Sequence, residues 1–467
     1  MDRHTVTNKL IHASLWTALN SYLFFIINFF GQIILAKLLI PEDYGIYAFS
    51  FALVEICAML LGFSNATAFI NSEGSQTDFD ACVKLNAIAA LIFLCFGVAG
   101  FFIISIIEHA YTPGIIFLLL CISQIFWLIS TVFASPLQKQ LKFKKVSFYQ
   151  GLCSSFGLLV AIVFATQHFT YWCLVMRDLF SYFSFAVITY FFSPFEIRRS
   201  FLYAKTKEQF RFGVNTTISR ALELLYYRFP DILIKLTLGK FILGNFYQAR
   251  SVSSYAIKLM EPLTQQVLFS FFTDIKNDLD FMSNRLNWIN LIITRAFLPF
   301  VFFAFLYGKS IFILVYGKQW SLAGNYFEYF STWIPIASLF GAGLSTCYSL
   351  KKQSVVSISY FISALLFISG IFLLSKRIPP PSIFTLSLAA GYAYLIYSLR
   401  KMGLTLSFIV PFLLPIIILM LSLSIFAITN QFFAIFCFLV LYGSLLFYEK
   451  EKIKSIYRRL FYAAKSY

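Results

Sequence analysis

Charged residues are scarce in this chain of 467 residues, where Asp, Glu, Lys and Arg together make up 12% of the sequence. Soluble domains carry roughly 25% charged residues, so the composition excludes an ordinary soluble domain. Apolar residues are correspondingly abundant at 60%, and the mean hydropathy is +0.79. We therefore expect a lipid bilayer to surround most of the chain.

Residues that bind metals and nucleotides are also few. The four His and eight Cys residues are scattered, and no pair has the spacing of metal ligands. Gly308-Lys309-Ser310 resembles the end of a phosphate-binding loop, but Ala304 stands where that loop requires glycine. We expect no metal site, no cofactor and no ATP-driven step, with coupling to a gradient of H⁺ or Na⁺ as the remaining source of energy.

Long apolar segments fill the sequence and are separated by short polar connections. A membrane-spanning helix needs about 20 apolar residues, and about fourteen segments meet this requirement. The segments are 17–39, 46–70, 85–107, 114–134, 148–166, 173–192, 213–238, 241–270, 286–307, 321–346, 355–374, 383–399, 404–428 and 431–448. This pattern predicts an all-α polytopic membrane protein with about 14 transmembrane helices.

Basic residues exceed acidic residues by 17, and most of them lie in alternate connections such as 139–145 and 198–211. Because Lys and Arg in short loops are retained in the cytoplasm, both termini are predicted to be cytoplasmic. The basic loops are expected to face anionic lipid headgroups, and no nucleic-acid partner is expected. The basic tail 449–467 is predicted to form an interfacial amphipathic helix.

Two hairpins about two hundred residues apart resemble each other. The first reads ILAKLLIPEDYGIYAF, and Lys37 and Gly45 lie near its turn. The second reads ILIKLTLGKFILGNFYQA, where Lys235 and Gly244 occupy similar places. Both copies begin with an outward-running helix, which indicates a repeat of unchanged orientation. The predicted organisation is an N-terminal lobe of six spans (1–201), a C-terminal lobe of six spans (202–403), two extra spans (404–448) and the tail (449–467).

The hairpin sequences, the region from Tyr247 to Arg250 and the stretch VYGKQWSLAGNYFEYFS resemble Wzx-type polysaccharide flippases of the multidrug/oligosaccharidyl-lipid/polysaccharide exporter superfamily. The resemblance implies two lobes in pseudo-twofold repeat around a central cavity. It implies a transporter without enzymatic activity in a bacterial inner membrane. Its substrate would be an undecaprenyl-pyrophosphate-linked oligosaccharide, moved outward by alternating access for O-antigen, capsule or exopolysaccharide assembly. The implied partners are this substrate, membrane lipids and polysaccharide assembly proteins.

A few ionisable residues lie within the predicted spans, where such residues usually face a bundle interior or a watery cavity. On the seventh span Arg220, Glu223, Tyr227 and Asp231 share one helical face, with Arg228 on its flank. On the eighth span the corresponding set is Arg250, Ser254, Glu261 and, to one side, Lys258. Further charges are Glu55 in the second span, Arg177 and Asp178 at the start of the sixth, and Arg295 in the ninth.

A pyrophosphate group suggests roles for these charges. Guanidinium groups bind phosphate oxygens bidentately without losing their charge, which predicts headgroup binding by Arg220, Arg228, Arg250 and Lys258. Carboxylates among them would balance this charge and take up a coupling ion, a role predicted for Glu55, Glu223, Asp231 and Glu261. The alternative interpretation is static pairing of Arg220 with Glu223 and of Arg228 with Asp231.

Two other functions remain as alternatives to a flippase. A cation-coupled drug exporter of the same superfamily should have fewer arginines in its spans. A membrane polysaccharide polymerase or ligase should have a large external loop for catalytic residues. The longest predicted external connection has only about a dozen residues, so the sequence favours the flippase.

Overall fold

The structure is a computed structural model that describes residues 23–61, 65–107, 109–140, 142–196, 203–261, 268–406, 414–428 and 431–449. Every regular element in these ranges is a helix, which confirms the all-α prediction. The helices are α1 (Leu23–Leu38), α2 (Pro41–Leu61), α3 (Asn65–Asn71), α4 (Gln76–Ile107), α5 (Tyr111–Lys139), α6 (Phe143–Thr166), α7 (Trp172–Phe192), α8 (Tyr203–Leu238), α9 (Lys240–Glu261), α10 (Leu268–Asp274), α11 (Leu279–Tyr316), α12 (Ser321–Ser349), α13 (Gln353–Leu374), α14 (Pro380–Lys401), α15 (Leu414–Ile428) and α16 (Gln431–Tyr448).

Eight helices in the described ranges are long and apolar enough to cross a membrane, namely α2, α4, α5, α6, α7, α11, α13 and α14. The chain is therefore a multi-pass membrane protein. Six further helices overlap the other predicted spans, namely α1, α8, α9, α12, α15 and α16. Of these, α8 and α9 carry the intramembrane charges that lower hydropathy. The total of fourteen spans stays a prediction.

Several helices extend beyond the apolar segments that predicted them. Helix α8 begins at Tyr203 instead of residue 213, and α11 covers Leu279–Tyr316 instead of 286–307. Hydropathy marks only the part of a helix that lipid surrounds, whereas the backbone hydrogen bonds continue through polar residues in water. The segment predicted as one span at 241–270 contains the end of α9 at Glu261 and the start of α10 at Leu268.

The chain forms two compact units. The first contains Met1–Val252, Lys309–Tyr326 and Gln353–Gly391, and the second contains Ser253–Gly308, Phe327–Lys352 and Tyr392–Tyr467. Both repeated hairpins belong to the first unit. The lobe boundaries at 201 and 403 stay predictions, and residues 450–467 of the basic tail lie outside the described residues.

In the second unit, α16 packs against α11 through an aromatic stack and a buried ion pair. The rings of Phe302 and Phe438 are 3.9 Å apart and nearly parallel. Arg295 donates to both carboxylate oxygens of Glu449, at 2.8 and 2.6 Å, and both residues are buried. Arg295 is thus an anchor for the end of α16.

Tight turns close both hairpins of the first unit. Helix α8 ends at Leu238, and the φ of the next residue, Gly239, is +91° and lies in the left-handed region. The Gly239 N–H donates to the carbonyls of Ile234 and Lys235, both at 3.1 Å, and α9 begins at the next residue. Helix α2 begins at Pro41, a first helical position that proline favours.

The repeat-related glycines lie where α2 and α9 contact each other. A Cβ added to Gly45 would lie 2.0 Å from the Lys240 carbonyl oxygen, and one added to Gly244 would lie 1.7 Å from the Pro41 carbonyl oxygen. A carbon that is not bonded to an oxygen cannot approach it so closely, so this contact requires glycine in both helices. The two copies of the repeat therefore meet through matching residues in a reciprocal contact.

Replacing Gly244 with valine should force α2 and α9 apart. We expect Gly244→Val to lower the free energy of unfolding by about 1–3 kcal/mol, the usual effect of overpacking. The measurement is thermal unfolding in detergent with a thiol-reactive dye, which reports exposure of the buried free cysteines. Gly443→Ala in α16 is the control, because a Cβ there has no neighbour within 4 Å. Equal melting temperatures for Gly244→Val and wild type would contradict the close contact.

Candidate functional site

Pro230 lies inside α8 and alters the hydrogen bonding of the preceding turn. Proline has no N–H to donate, and its ring crowds the carbonyl four residues earlier. Inside a membrane, carbonyls freed in this way must find donors on neighbouring helices. Nη1 of Arg250, on α9, donates to the Tyr227 carbonyl at 3.0 Å. The arginine therefore binds backbone of the same turn that the proline disturbs.

The same guanidinium forms a buried ion pair with α8. Nη2 of Arg250 lies 2.6 Å from Oδ2 of Asp231, and both residues are buried. The guanidinium carbon is 5.2 Å from the ring centroid of Phe246 and 5.9 Å from that of Phe384. The other carboxylate oxygen of Asp231, Oδ1, is buried without a hydrogen-bond partner among the described residues. The ion pair is therefore buried, and Oδ1 of Asp231 accepts no hydrogen bond from the described residues.

A second ion pair joins α8 to the first hairpin. Arg228 pairs with Glu55 of α2, and its guanidinium carbon lies 5.1 Å from the ring centroid of Phe51. The side chains of Arg228 and Glu55 are 23% and 29% exposed, whereas the Arg250–Asp231 pair is almost inaccessible. The alternative pairing of Arg228 with Asp231 is wrong, although the two interact electrostatically at longer range. Arg228 is therefore more accessible than Arg250.

A third network joins α7 to α2. Arg177 donates through Nε to Asp178 at 2.9 Å and through Nη2 to the Tyr47 hydroxyl at 2.9 Å. Tyr47 in turn donates to Asp178. The Tyr47 ring lies 6.1 Å from the ring of Tyr247 on α9, which extends the network toward Arg250. The sequence showed Arg177 and Asp178 as an adjacent pair, but it assigned no role to them or to Tyr47.

The remaining predicted residues are separate from these pairs or are not described. Glu223 accepts a hydrogen bond from the Tyr360 hydroxyl at 3.4 Å. Lys258 belongs to the second compact unit, where it is exposed and lies 5.6 Å from the ring centroid of Tyr255. The side chains of Arg220 and Glu261 lie outside the described part of the structure. Of the predicted set, the structure brings together Glu55, Arg228, Asp231 and Arg250.

The charges of these three networks balance. Arg177, Arg228 and Arg250 each bind a carboxylate, and an unpaired charge would be costly among membrane helices. An anionic ligand that approaches one of these guanidinium groups therefore competes with a carboxylate already bound to it. No group of three or more His, Cys, Asp or Glu that could hold a metal ion occurs within the described ranges.

Comparison with known proteins places these residues within a family. The family model described as polysaccharide biosynthesis protein matches residues 34–324, a range that contains all three networks. The chain belongs to this family. It is 22% identical over 325 residues to the succinoglycan biosynthesis transport protein ExoT of Rhizobium meliloti. It is 23% identical over 329 residues to the lipopolysaccharide biosynthesis protein WzxC of Escherichia coli. These matches cover 68% of this chain and 65% of each relative, so the chain spans slightly less than two thirds of their length.

Solved structures share the fold of this family member. The lipid II flippase MurJ in an inward closed conformation matches with a TM-score of 0.73 and 13% identity, covering 94% of this chain and all of that one. An inward-facing multidrug resistance MATE family transporter of the MOP superfamily matches with a TM-score of 0.64 and 13% identity, covering 81% and 95%. The predicted resemblance to Wzx-type flippases of this superfamily is thereby confirmed.

Removing Arg250 should leave Asp231 as a buried, unpaired charge. We expect Arg250→Met to lower the free energy of unfolding by about 3–5 kcal/mol. The double variant Arg250→Met/Asp231→Asn should recover much of that loss because it removes both charges. Thermal unfolding of the purified proteins measures the effect, and Arg377→Met, at an exposed cation, is the control. A melting temperature of Arg250→Met equal to that of Arg377→Met would show that the ion pair does not form.

Proposed function

We propose that this protein is a secondary transporter that flips undecaprenyl-pyrophosphate-linked oligosaccharide repeat units. Transport would run from the cytoplasmic to the outer leaflet of a bacterial inner membrane, for O-antigen, capsule or exopolysaccharide assembly. The observation that carries the proposal is the pairing of Arg228 and Arg250 with carboxylates inside a membrane-embedded member of a polysaccharide biosynthesis family. The names of its relatives, a succinoglycan transport protein and a lipopolysaccharide biosynthesis protein, agree with this substrate class.

Arg228 is the residue that a substrate phosphate would meet first. Its ion pair with Glu55 is partly exposed, whereas Arg250 is enclosed by aromatic rings and Asp231. A pyrophosphate carries more charge than the Glu55 carboxylate and offers two oxygens to the planar guanidinium fork. The substrate would therefore displace Glu55 from Arg228, and Arg220 and Lys258 remain proposed additional headgroup ligands.

Displacement of a carboxylate offers a way to couple transport to an ion gradient. If a phosphate oxygen takes the place of Asp231 on Arg250, the buried Asp231 loses the arginine to which it is hydrogen-bonded. An isolated carboxylate in that environment is costly, so it should take up H⁺ or bind Na⁺. Oδ1 of Asp231, which has no hydrogen-bond partner within the described structure, is the atom that would take up the ion. Glu55 would act in the same way, and Glu223 and Glu261 remain proposed members of this set.

The contact between the two hairpins is proposed to close the outer side of the transporter. Nε1 of Trp320 donates to the Ala36 carbonyl at 2.7 Å, and the Ala323 N–H donates to Oδ1 of Asn245 at 2.9 Å. These bonds tie the start of α12 to both hairpins, next to the Gly45 and Gly244 contact. Alternating access between two six-helix lobes would require this contact to open, with both termini in the cytoplasm.

Deleting the gene in its source bacterium tests the proposed function against both alternatives. A flippase deletion should accumulate lipid-linked repeat units on the cytoplasmic face, where enzymes added to intact spheroplasts cannot reach them. Loss of a polymerase or ligase should accumulate the units on the outer face. Loss of a drug exporter, an activity that the MATE-like fold also allows, should change drug susceptibility without accumulation. Outer-face accumulation or none would refute the flippase.

A second experiment tests Arg228 directly. We expect Arg228→Ala to reduce export of the polysaccharide about tenfold or more at normal protein level, since hydrogen bonds to charged groups contribute roughly 1.5–3 kcal/mol. Arg228→Lys should restore only part of the export, because an ammonium lacks the bidentate fork. Arg377→Ala is the matched control on an exposed connection and should export normally. Normal export by Arg228→Ala would remove Arg228 from the substrate site.

A further inference from the structure

A cavity of about 270 Å³ lies in the first compact unit and contains no member of the arginine networks. Its walls come from α2, α4, α5, α8 and α9 and from Tyr171, just before α7. The lining includes two lysines, Lys235 and Lys240, and three hydroxyl side chains, Ser50, Thr112 and Tyr171. No carboxylate is among the described residues that line this cavity. Lysine ammonium groups and hydroxyl groups donate hydrogen bonds, so these side chains together can bind an anion.

The turn between α8 and α9 holds the two lysines together. Lys235 lies in the last turn of α8, Lys240 is the first residue of α9, and Gly239 closes the helix between them. Nζ of Lys235 lies 4.3 Å from the ring centroid of Phe49, which fixes its position at the cavity wall. These lysines belong to the small group of cations on the side that the Lys and Arg distribution assigns to the outside. Their proximity within one cavity concentrates positive charge there.

The start of α5 adds to this positive charge. Ala110, the residue that precedes α5, lines the cavity. Its methyl side chain cannot accept hydrogen bonds from the N–H groups in the first turn of the helix. Helix N-termini present free N–H groups and a partial positive charge, and α9 also begins at the cavity. Two carboxylates lie nearby: Asp43 accepts from the Ile40 N–H at 3.2 Å and interacts electrostatically with Lys240 and with Glu42, its neighbour in sequence. Neither Asp43 nor Glu42 is among the described residues that line the cavity.

The surface beside the cavity is apolar. Ile104 of α4 lines it, and the neighbouring residues Ile103, Ile106 and Ile107 are exposed large hydrophobic side chains. Because α4 is an apolar spanning helix, these side chains face lipid chains. A ligand with its phosphate in the cavity could extend its hydrocarbon chains along α4.

We propose that this cavity is a binding site for a phosphate group, held by Lys235 and Lys240 at the outer ends of α5 and α9. The apolar surface of α4 favours the phosphate of a lipid headgroup as the source, and free phosphate is the other source. The site is separate from the proposed substrate arginines. Binding at this site can be measured without a transport assay, so the proposal can be tested independently of the flippase function.

Native mass spectrometry of the full-length protein, released from detergent with added phosphatidylglycerol, tests the site. We expect the double variant Lys235→Gln/Lys240→Gln to bind phosphatidylglycerol about tenfold more weakly or worse, from the loss of two cations that attract anionic headgroups. The matched control is Lys376→Gln/Arg377→Gln, which removes two exposed charges from another connection on the same predicted side. Binding that is unchanged in the first variant, or equally weakened in both, overturns the proposal.

A third variant keeps both lysines. Ala110→Asp places a carboxylate at the start of α5, where aspartate is a favourable N-cap, so it should weaken lipid binding while the melting temperature is kept or raised. Wild-type binding by this variant would also overturn the proposal. Inorganic phosphate at millimolar concentration distinguishes the two sources. If it displaces phosphatidylglycerol, the site accepts free phosphate, and if it does not, the site requires the lipid.

Discussion

A charge inside a membrane-embedded helix bundle needs a partner of opposite sign, and this requirement organises the candidate site. Arg250 satisfies it twice, through the carboxylate of Asp231 and through the Tyr227 carbonyl next to Pro230. Both acceptors lie on α8, so a single guanidinium fixes α9 against the part of its neighbour that contains Pro230. Arg228 and Arg177 are also paired with carboxylates. Arg228 pairs with Glu55 of α2, and Arg177 pairs with Asp178 of its own helix, α7. The same pairs that hold these helices together also place a competing carboxylate on each of the three arginines.

The contact between α2 and α9 gives a structural reason for the glycines that the two copies of the repeat share. Gly45 and Gly244 were matched by sequence, and each of them admits a backbone carbonyl that belongs to the other hairpin. A close approach of two backbones strengthens packing in a membrane, where apolar side chains gain little by leaving lipid. Because the contact is reciprocal, a change in either hairpin alters the environment of both. Three charged residues of the site lie on the helices of these same hairpins, namely Glu55 on α2, Arg228 on α8 and Arg250 on α9.

Much of the fold could be predicted because hydropathy is a local property. Apolar length predicted a helix in every proposed span, and helical spacing placed Arg228 and Asp231 near one face of α8. The extensions of α8 and α11 were missed, since polar residues that continue a helix into water have no hydropathy signal. Partners were harder to predict. Tyr47 and Asp178 are 131 residues apart, and only packing of α2 against α7 brings them together. Likewise, nothing local to Arg228 distinguishes Glu55 from Asp231 as its partner.

The two kinds of cation occupy different environments for a physical reason. Arginine keeps its charge when buried and binds carboxylates through a planar fork, so it suits the paired positions of α7, α8 and α9. Lysine is a strongly hydrated point charge, and Lys235 and Lys240 lie at helix ends, beside the turn between α8 and α9. Lys235 is four residues, about one helical turn, beyond Asp231 on α8. One helix therefore carries both an acid of the buried pair and a lysine of the proposed phosphate site, so a rotation of α8 that opens the Arg250–Asp231 pair would also move Lys235 relative to Phe49.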